Sequence, residues 1–271
     1  MTMEMGSDMS MATNIDLRET STRTLATSTD ILGTPIAITD LPGATAHLLH
    51  RVAARQGGYV CLRDVHGIML ARRDPELFQI HHEATMNLPD GMPLVHIARR
   101  RGHHAIGRVA GADLVEALAD AGRGTALRHY FYGGKPGVAE KMAATLKRRF
   151  PGMVVAGCAS PPFGDVDDAT MKQALAAIVA ARADVVWVGL STPKQERWMH
   201  RHHPALPGMI LIGVGAAFDF ITGEVRRAPL WMQRATLEWL HRLFSEPRRL
   251  WRRYLVLAPR FVWLILTERS K

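Results

Sequence analysis

The sequence predicts an α/β fold, a Rossmann-like parallel sheet with helices on both faces, followed by a basic, aromatic-rich helical appendage. Between residues 58 and 218, short apolar runs rich in β-branched residues alternate with stretches of helical periodicity. Such alternation is typical of βαβ units, and continuous apolar strands are typical of a parallel sheet buried on both faces. Hydrophobic residues make up 47% of the 271 residues and charged residues 22%, which excludes a wholly disordered or collagen-like chain.

Residues 58–124 supply the first part of the predicted sheet. The apolar runs at residues 59–62 and 84–89 are predicted strands. Helical periodicity predicts three helices in the same part of the chain, at residues 65–83, 92–100 and 113–121.

The pattern becomes more regular between residues 130 and 218. Four apolar runs are predicted strands, at residues 129–132, 153–156, 184–189 and 209–215. Helical stretches separate them, at residues 138–150, at residues 169–182 and after Gln195. Both parts together fit one α/β domain spanning residues 29–223, within the usual size of a single domain.

The first 28 residues are predicted to be a disordered tail. They are rich in Met, Ser and Thr, and they carry Glu4, Asp8 and Asp16 where a secretory signal would need a basic start and an apolar run.

Only two cysteines occur, which excludes a disulfide scaffold and a four-cysteine zinc site and favours a reducing, cytoplasmic compartment. The longest run without Lys, Arg, Asp or Glu, residues 202–218, is too short to span a bilayer, which takes about 20 apolar residues.

The positive charge of the chain is concentrated at its C-terminal end. Residues 224–271 contain eleven Lys or Arg residues and four Glu residues, a net charge of +7 out of +9 for the whole chain. Aromatic residues are interleaved with the arginines, a composition typical of a segment that lies on an anionic membrane. A basic amphipathic helix packed on the core would show the same composition. Pro259 is expected to break the helical pattern of residues 254–267.

Polar residues follow several predicted strands, at the edge of the sheet where ligands of α/β folds gather. Asp90 follows the strand at residues 84–89, so it is a candidate general base, with helix capping as the alternative. Comparable strand-to-helix corners are Gly133-Gly134, Lys194-Gln195 and Asp219. The glycine pair is a candidate phosphate loop or a tight structural turn, and Asp219 a hydroxyl ligand or a cap.

Several other patterns are interpreted as structural. Residues 213–218 resemble a dinucleotide-binding motif but end in Phe218 where the last glycine belongs, so no nicotinamide cofactor is expected. Asp165 and Asp167 match a metal-binding Asp-x-Asp, yet they precede a predicted helix, where Asp167 or Asp168 would serve as a cap. The histidines lack zinc-site spacing. We therefore predict no metal and no cofactor.

Six ordered motifs resemble a known family. They are Asn87-Leu-Pro-Asp-Gly91, Arg108-Val-Ala-Gly-Ala-Asp113, Pro193-Lys-Gln-Glu-Arg-Trp198, Gly213-Val-Gly-Ala-Ala-Phe-Asp219, Arg227-Ala-Pro229 and the run from Glu238 to Arg248. Together they resemble the WecB/TagA/CpsF family of bacterial glycosyltransferases, glycosyltransferase family 26, over about residues 31–266.

The resemblance implies an inverting transferase that moves a sugar from a UDP-sugar co-substrate to an undecaprenyl-diphosphate-linked acceptor, at the inner face of the plasma membrane. It implies that Asp90 is the base. The donor-binding residues that it implies are Asp64, Gly133, Gly134, Lys194, Gln195, Gly215 and Asp219. The arginines that it implies for diphosphate charge are Arg227, Arg242, Arg249 and Arg252. Whether the chain forms a homo-oligomer stays open.

One block departs from the family pattern. Many relatives carry Thr-x-Asn after the first core strand, whereas the corresponding positions here are Leu62, Arg63 and Asp64. Asp64 is expected to hydrogen-bond a sugar, and the donor sugar stays open among N-acetylmannosamine, its uronic acid and glucose. The two other functions that remain open are a nucleic-acid-binding protein that uses the basic segment, although no partner nucleic acid is expected, and a catalytically inactive membrane adaptor.

Overall fold

The computed structural model describes residues 27–267 apart from residues 163, 165, 230 and 233–235 and the side chain of Arg249. A short antiparallel hairpin comes first, formed by β1 (Ser28–Ile31) and β2 (Thr34–Ala37). The main sheet contains six strands, which are β3 (Gly58–Arg63), β4 (Met86–Pro89), β5 (Arg128–Gly133), β6 (Val154–Ala159), β7 (Val185–Gly189) and β8 (Ile210–Gly213). All pairings are parallel in the order β4-β3-β8-β7-β5-β6, which confirms the predicted parallel sheet.

Helices connect the strands. They are α1 (Leu41–Ala53), α2 (Val65–Ala71), α3 (Pro75–Glu83), α4 (Met92–Arg100), α5 (Gly111–Ala121), α6 (Val138–Arg149), α7 (Asp168–Ala180), α8 (Lys194–His202) and α9 (Ala217–Thr222). The predicted capping role of Asp167 is confirmed, because its carboxylate accepts from the Thr170 amide at 2.9 Å.

Both faces of the main sheet are covered, as predicted. Phe131 and Trp187 point into one core, which is shared with α1, α5, α6 and α9. Their strand neighbours Tyr132 and Val188 point into the opposite core, which is shared with α7 and α8. This alternation follows from the period of two along a strand and places the helices in two layers around the sheet.

Two features of the first half differ from the sequence prediction. The single helix expected over residues 65–83 is two helices, because Pro75 cannot continue a helix and Asp74 caps α3 through the Leu77 amide at 3.1 Å. Ser28, assigned to the disordered tail, begins β1, and the hairpin and α1 were not predicted. Residues 1–26 of that tail lie outside the described part of the chain.

The appendage is helical. It comprises α10 (Glu238–Ser245), α11 (Pro247–Trp251), a π-helical stretch (Arg252–Leu257) and α12 (Ala258–Thr267). The break expected at Pro259 is absent there, because Pro259 follows the π-helical stretch in the first turn of α12, where a proline is tolerated. Phe261 is only 2% exposed and packs with Ile31, Ile68 and Leu94. The last helix of the appendage, α12, is therefore packed against the hairpin, α2 and α4.

Candidate active site

A cavity of about 600 Å³ lies at the carboxyl ends of β3, β4 and β8, beneath the appendage. The sheet side contributes Leu62 and Asp64 after β3, Asp90 after β4, and residues 213–217 after β8. The appendage contributes further lining residues, which include Glu238, Trp239, Arg242, Arg253 and Tyr254. The cavity therefore sits where parallel α/β sheets bind ligands, and it is closed by the segment that carries most of the positive charge.

Asp90 lies on the cavity wall and does not cap a helix. The cap position of α4 is Gly91, and no side chain makes a capping hydrogen bond there. The Asp90 amide donates to the Arg63 carbonyl at 2.8 Å, and the Asp90 carbonyl accepts from Arg108 Nε at 2.7 Å. The backbone is thus fixed while the carboxylate, 36% exposed, is directed to the cavity, which favours the base interpretation over capping.

Burial raises the pKa of Asp90 to about 6. The Arg108 guanidinium, whose Nη2 lies 3.8 Å from Asp90 Oδ1, opposes this rise, whereas the negative charges of Asp64 and Glu238 add to it. A carboxylate with a pKa near the working pH suits proton transfer, because it is ionised at neutral pH and still basic.

Asp64 is tied to two partners. Its carboxylate accepts from the Gly67 amide at 2.9 Å and pairs with Arg253 of the appendage. Burial favours the protonated form, but Arg253 and the Gly67 amide outweigh it and lower the pKa of Asp64 to about 2. Gly91 packs closely beside it, because a Cβ there would lie 3.2 Å from the Asp64 Cβ. Asp64 is therefore a negatively charged neighbour of Asp90 at neutral pH.

Gln195 is held by a buried polar network. Its amide nitrogen donates to Glu196 Oε1 at 3.1 Å, and that carboxylate pairs with Arg63, which also contacts His81 at 2.9 Å. The Gln195 Oε1 atom has no hydrogen-bond partner among the described residues, and it faces Gly215 at the cavity wall. The fixed orientation leaves this oxygen available to accept a hydrogen bond from a ligand.

Two of the predicted arginines line the cavity. Arg227 makes two hydrogen bonds to Asp113, at 2.5 and 2.9 Å, and Arg242 lies over the Phe220 ring at 5.5 Å. Arg252 does not line the cavity, because it is exposed and lies against Trp251. The Arg249 side chain falls outside the described part of the structure.

The cavity residues that the sequence prediction missed include three charged ones, Arg108, Glu238 and Arg253. Arg253 is the neighbour of Arg252, and its direction depends on the phase of the π-helical stretch. Arg108 pairs with Glu238 of the appendage at 2.7 Å, so this ion pair joins the α/β domain to the appendage at the cavity wall. Arg108 and Glu238 both lie in the motifs that resemble the family, and this resemblance could have identified them.

Four predicted donor-binding residues do not line the cavity. Gly134 donates its amide to the Gly189 carbonyl at 3.1 Å, and a Cβ on Gly133 would lie 2.6 Å from the Gly189 carbonyl oxygen. The glycine pair therefore allows the ends of β5 and β7 to approach each other closely. Lys194 is exposed at the start of α8, and Asp219 lies within α9. A donor-binding role for these four residues stays a prediction.

Metal ligands do not converge in the described residues, where no three His, Cys, Asp or Glu side chains are close enough to hold an ion together. Cationic groups are the prominent feature instead. Arg108, Arg227, Arg242 and Arg253 all line the cavity, and the first turn of α5 lies on its wall at Gly111. Such groups can stabilise negative charge that develops on a leaving diphosphate.

Residues 29–271 match the family described as glycosyl transferase WecG/TagA/CpsF. A protein of Bacillus subtilis (strain 168), an N-acetylglucosaminyldiphosphoundecaprenol N-acetyl-beta-D-mannosaminyltransferase, is 32% identical over 202 residues, covering 74% of this chain and 75% of its own length. A protein of Bacillus spizizenii (strain ATCC 23059 / NRRL B-14472 / W23) with the same description is 34% identical over 196 residues, covering 72% of this chain and 74% of its own length.

Proposed function

Because the chain belongs to the WecG/TagA/CpsF family of glycosyl transferases, we propose that it transfers a sugar from a UDP-sugar to an undecaprenyl-diphosphate-linked acceptor in cell-surface polysaccharide synthesis. The two Bacillus relatives support the lipid-linked acceptor, since their names describe an N-acetylglucosaminyldiphosphoundecaprenol substrate. The observation that carries the proposal is that the Asp90 carboxylate lines the same cavity as Arg242 and Arg253 of the appendage.

The proposed reaction is a single displacement with inversion. Asp90 takes the proton of the acceptor hydroxyl while the hydroxyl oxygen forms a bond to the anomeric carbon of the donor. The bond from that carbon to the UDP oxygen breaks at the same time, and its electron pair leaves with UDP. Arg242, Arg253 and the first turn of α5 stabilise the charge of the departing diphosphate, so the reaction is proposed to need no metal.

The donor sugar is proposed to be N-acetylmannosamine, its uronic acid or glucose. Leu62, which stands where many relatives have Thr, lines the cavity with its apolar side chain, so a hydroxyl contact is absent at this position. Asp64 lines the cavity beside it and is already paired with Arg253. These two positions are therefore the ones we expect to distinguish donors with and without charge.

The proposed reaction can be tested with the full chain, the three UDP-sugars and an N-acetylglucosaminyl-diphosphate-linked prenyl acceptor. We expect release of UDP only when donor and acceptor are both present, with one donor strongly preferred. Product should also form in the presence of a metal chelator. Linkage analysis of the product should show inversion at the anomeric carbon. A product that retains the donor configuration, or no transfer from any of the three donors, would contradict the proposal.

Activity is expected to fall below about pH 6, because protonation of Asp90 removes the base. The Arg108 charge lowers the pKa of Asp90, so Arg108→Gln should move the acidic limb of the kcat/KM profile to higher pH. Glu238→Gln should move the limb to lower pH, because it removes a negative charge and frees Arg108. A limb that stays in place in both variants would show that another group titrates.

The appendage is proposed to lie on the anionic inner face of the plasma membrane. Large apolar side chains are exposed along it, among them Phe244 at 76%, Trp263 at 62% and Leu266 at 77%. Exposed aromatic and aliphatic side chains beside arginines are typical of interfacial helices. Among the described residues, no helix has the length and hydropathy needed to cross a bilayer.

Vesicle flotation tests this association. Phe244→Gln combined with Trp263→Gln should reduce binding to anionic vesicles at least about tenfold, because two aromatic side chains that would insert into the bilayer are lost. Val179 is an exposed apolar residue of α7, 46% exposed, and Val179→Gln is the matched control that should bind like the wild type. Equal flotation of the double variant and the control would remove the membrane interpretation.

A further inference from the structure

A second, apolar cavity of about 560 Å³ lies between α4 and α12. We call it the α4–α12 groove. Its lining comes from α4 (Pro93, His96, Ile97, Arg99 and Arg100) and from α12 (Phe261, Val262, Ile265 and Leu266). Phe261 forms a buried floor, whereas Val262 and Leu266 are more than half exposed at the rim. The groove therefore offers an apolar channel open along one side.

The groove begins where the active-site cavity ends. Pro93 lines both cavities, and it stands only three residues after Asp90. Ala258, the first residue of α12, lines the active-site cavity, and Phe261 lies one turn further along the same helix in the groove. The two helices thus lead away from the proposed base, and α4 extends the path by about 10 Å between Pro93 and Arg100.

The chemistry changes along this path. The active-site cavity is rich in cations, with Arg242 and Arg253 on its wall, whereas the groove is lined mainly by aliphatic side chains. Among the described residues that line the groove, the Lys, Arg, Asp and Glu side chains are Arg99 and Arg100 alone, and both are exposed. Arg99 Nε donates to the Ile106 carbonyl at 3.1 Å. A ligand that fits both parts carries a diphosphate at one end and an apolar chain at the other.

We propose that the α4–α12 groove binds the first isoprenoid units of the lipid acceptor while its diphosphate lies in the active-site cavity. The proposal rests on the proposed function, because the acceptor supplies the molecule with this polarity. Exposure of the groove beside the aromatic residues of the appendage, such as Trp263, would let the remainder of the prenyl chain stay in the membrane.

Two soluble probes separate chain binding from diphosphate binding, farnesyl diphosphate and methyl diphosphate. Calorimetry on the full chain should show at least about tenfold tighter binding of farnesyl diphosphate, because only this probe buries apolar surface in the groove. Ile265→Asn should remove about tenfold of farnesyl diphosphate affinity and leave methyl diphosphate binding unchanged. Val262→Trp, at an exposed rim position, should fill the groove and give the same selective loss without exposing the core.

Val256→Asn is the matched control, because Val256 is an exposed apolar residue of the appendage, 51% exposed, and lines neither cavity. It should bind both probes like the wild type. Equal affinity of the wild type for the two probes, or parallel losses for both probes in the groove variants, would overturn the groove assignment. Failure of sugar transfer to every acceptor, with the preference for farnesyl diphosphate intact, would overturn the proposed function alone.

Discussion

Replacing Asp90 by Asn is expected to lower kcat about 10²- to 10⁴-fold, because the amide cannot take the proton of the acceptor hydroxyl. The side chain keeps its size, and the Arg63 carbonyl and Arg108 still hold the backbone of residue 90. Binding of UDP should therefore change little. Steady-state kinetics of sugar transfer, together with UDP titration by calorimetry, separates loss of the base from loss of the site.

The matched control for this change is Asp120→Asn. Asp120 lies on the surface of α5 in an exposed ion pair with Arg123, and such pairs contribute little to stability. This variant should retain full activity. Undiminished turnover in Asp90→Asn would remove Asp90 as the base, and a parallel loss of UDP binding would indicate a structural role instead.

Replacing Arg253 by Ala is expected to lower kcat/KM about 10²- to 10³-fold, because a cation that faces the diphosphate position is lost. The change also leaves the Asp64 charge without its partner. Loss of the Arg253 cation raises the pKa of Asp90, because that cation lowers it in the wild type. The acidic limb should therefore move to higher pH in addition. Arg252→Ala, one residue earlier in the chain, should stay within about threefold of the wild type because Arg252 is exposed and lies against Trp251.

A double variant distinguishes the two roles of Arg253. In Asp64→Asn combined with Arg253→Gln, the buried pair is replaced by two neutral groups that can still hydrogen-bond. If Arg253 only fastens the appendage to Asp64, activity should recover toward that of the wild type. We expect it to remain low, because the charge that meets the diphosphate is absent. An equal loss in Arg252→Ala would contradict the assignment of Arg253.

The order of strands and helices could be read from local pattern, because β-branched runs and helical periodicity report burial within a single element. The missed hairpin is formed by two strands of four residues each, and its core partners are distant in sequence, such as Phe261. The single helix expected over residues 65–83 conflicted with a local signal, the Asp74-Pro75 pair, which marks a new helix start.

The sequence by itself determined that Asp90 follows a strand of a parallel sheet and that positive charge gathers in the appendage. Only the tertiary structure decided that Asp90 is free of the α4 cap, that the Gly133-Gly134 turn packs on Gly189, and that Arg253 enters the cavity while Arg252 does not. The physical reason is that strand ends follow from local pattern, whereas the direction of a side chain depends on helix phase and on contacts between residues far apart in the chain, such as Asp64 and Arg253.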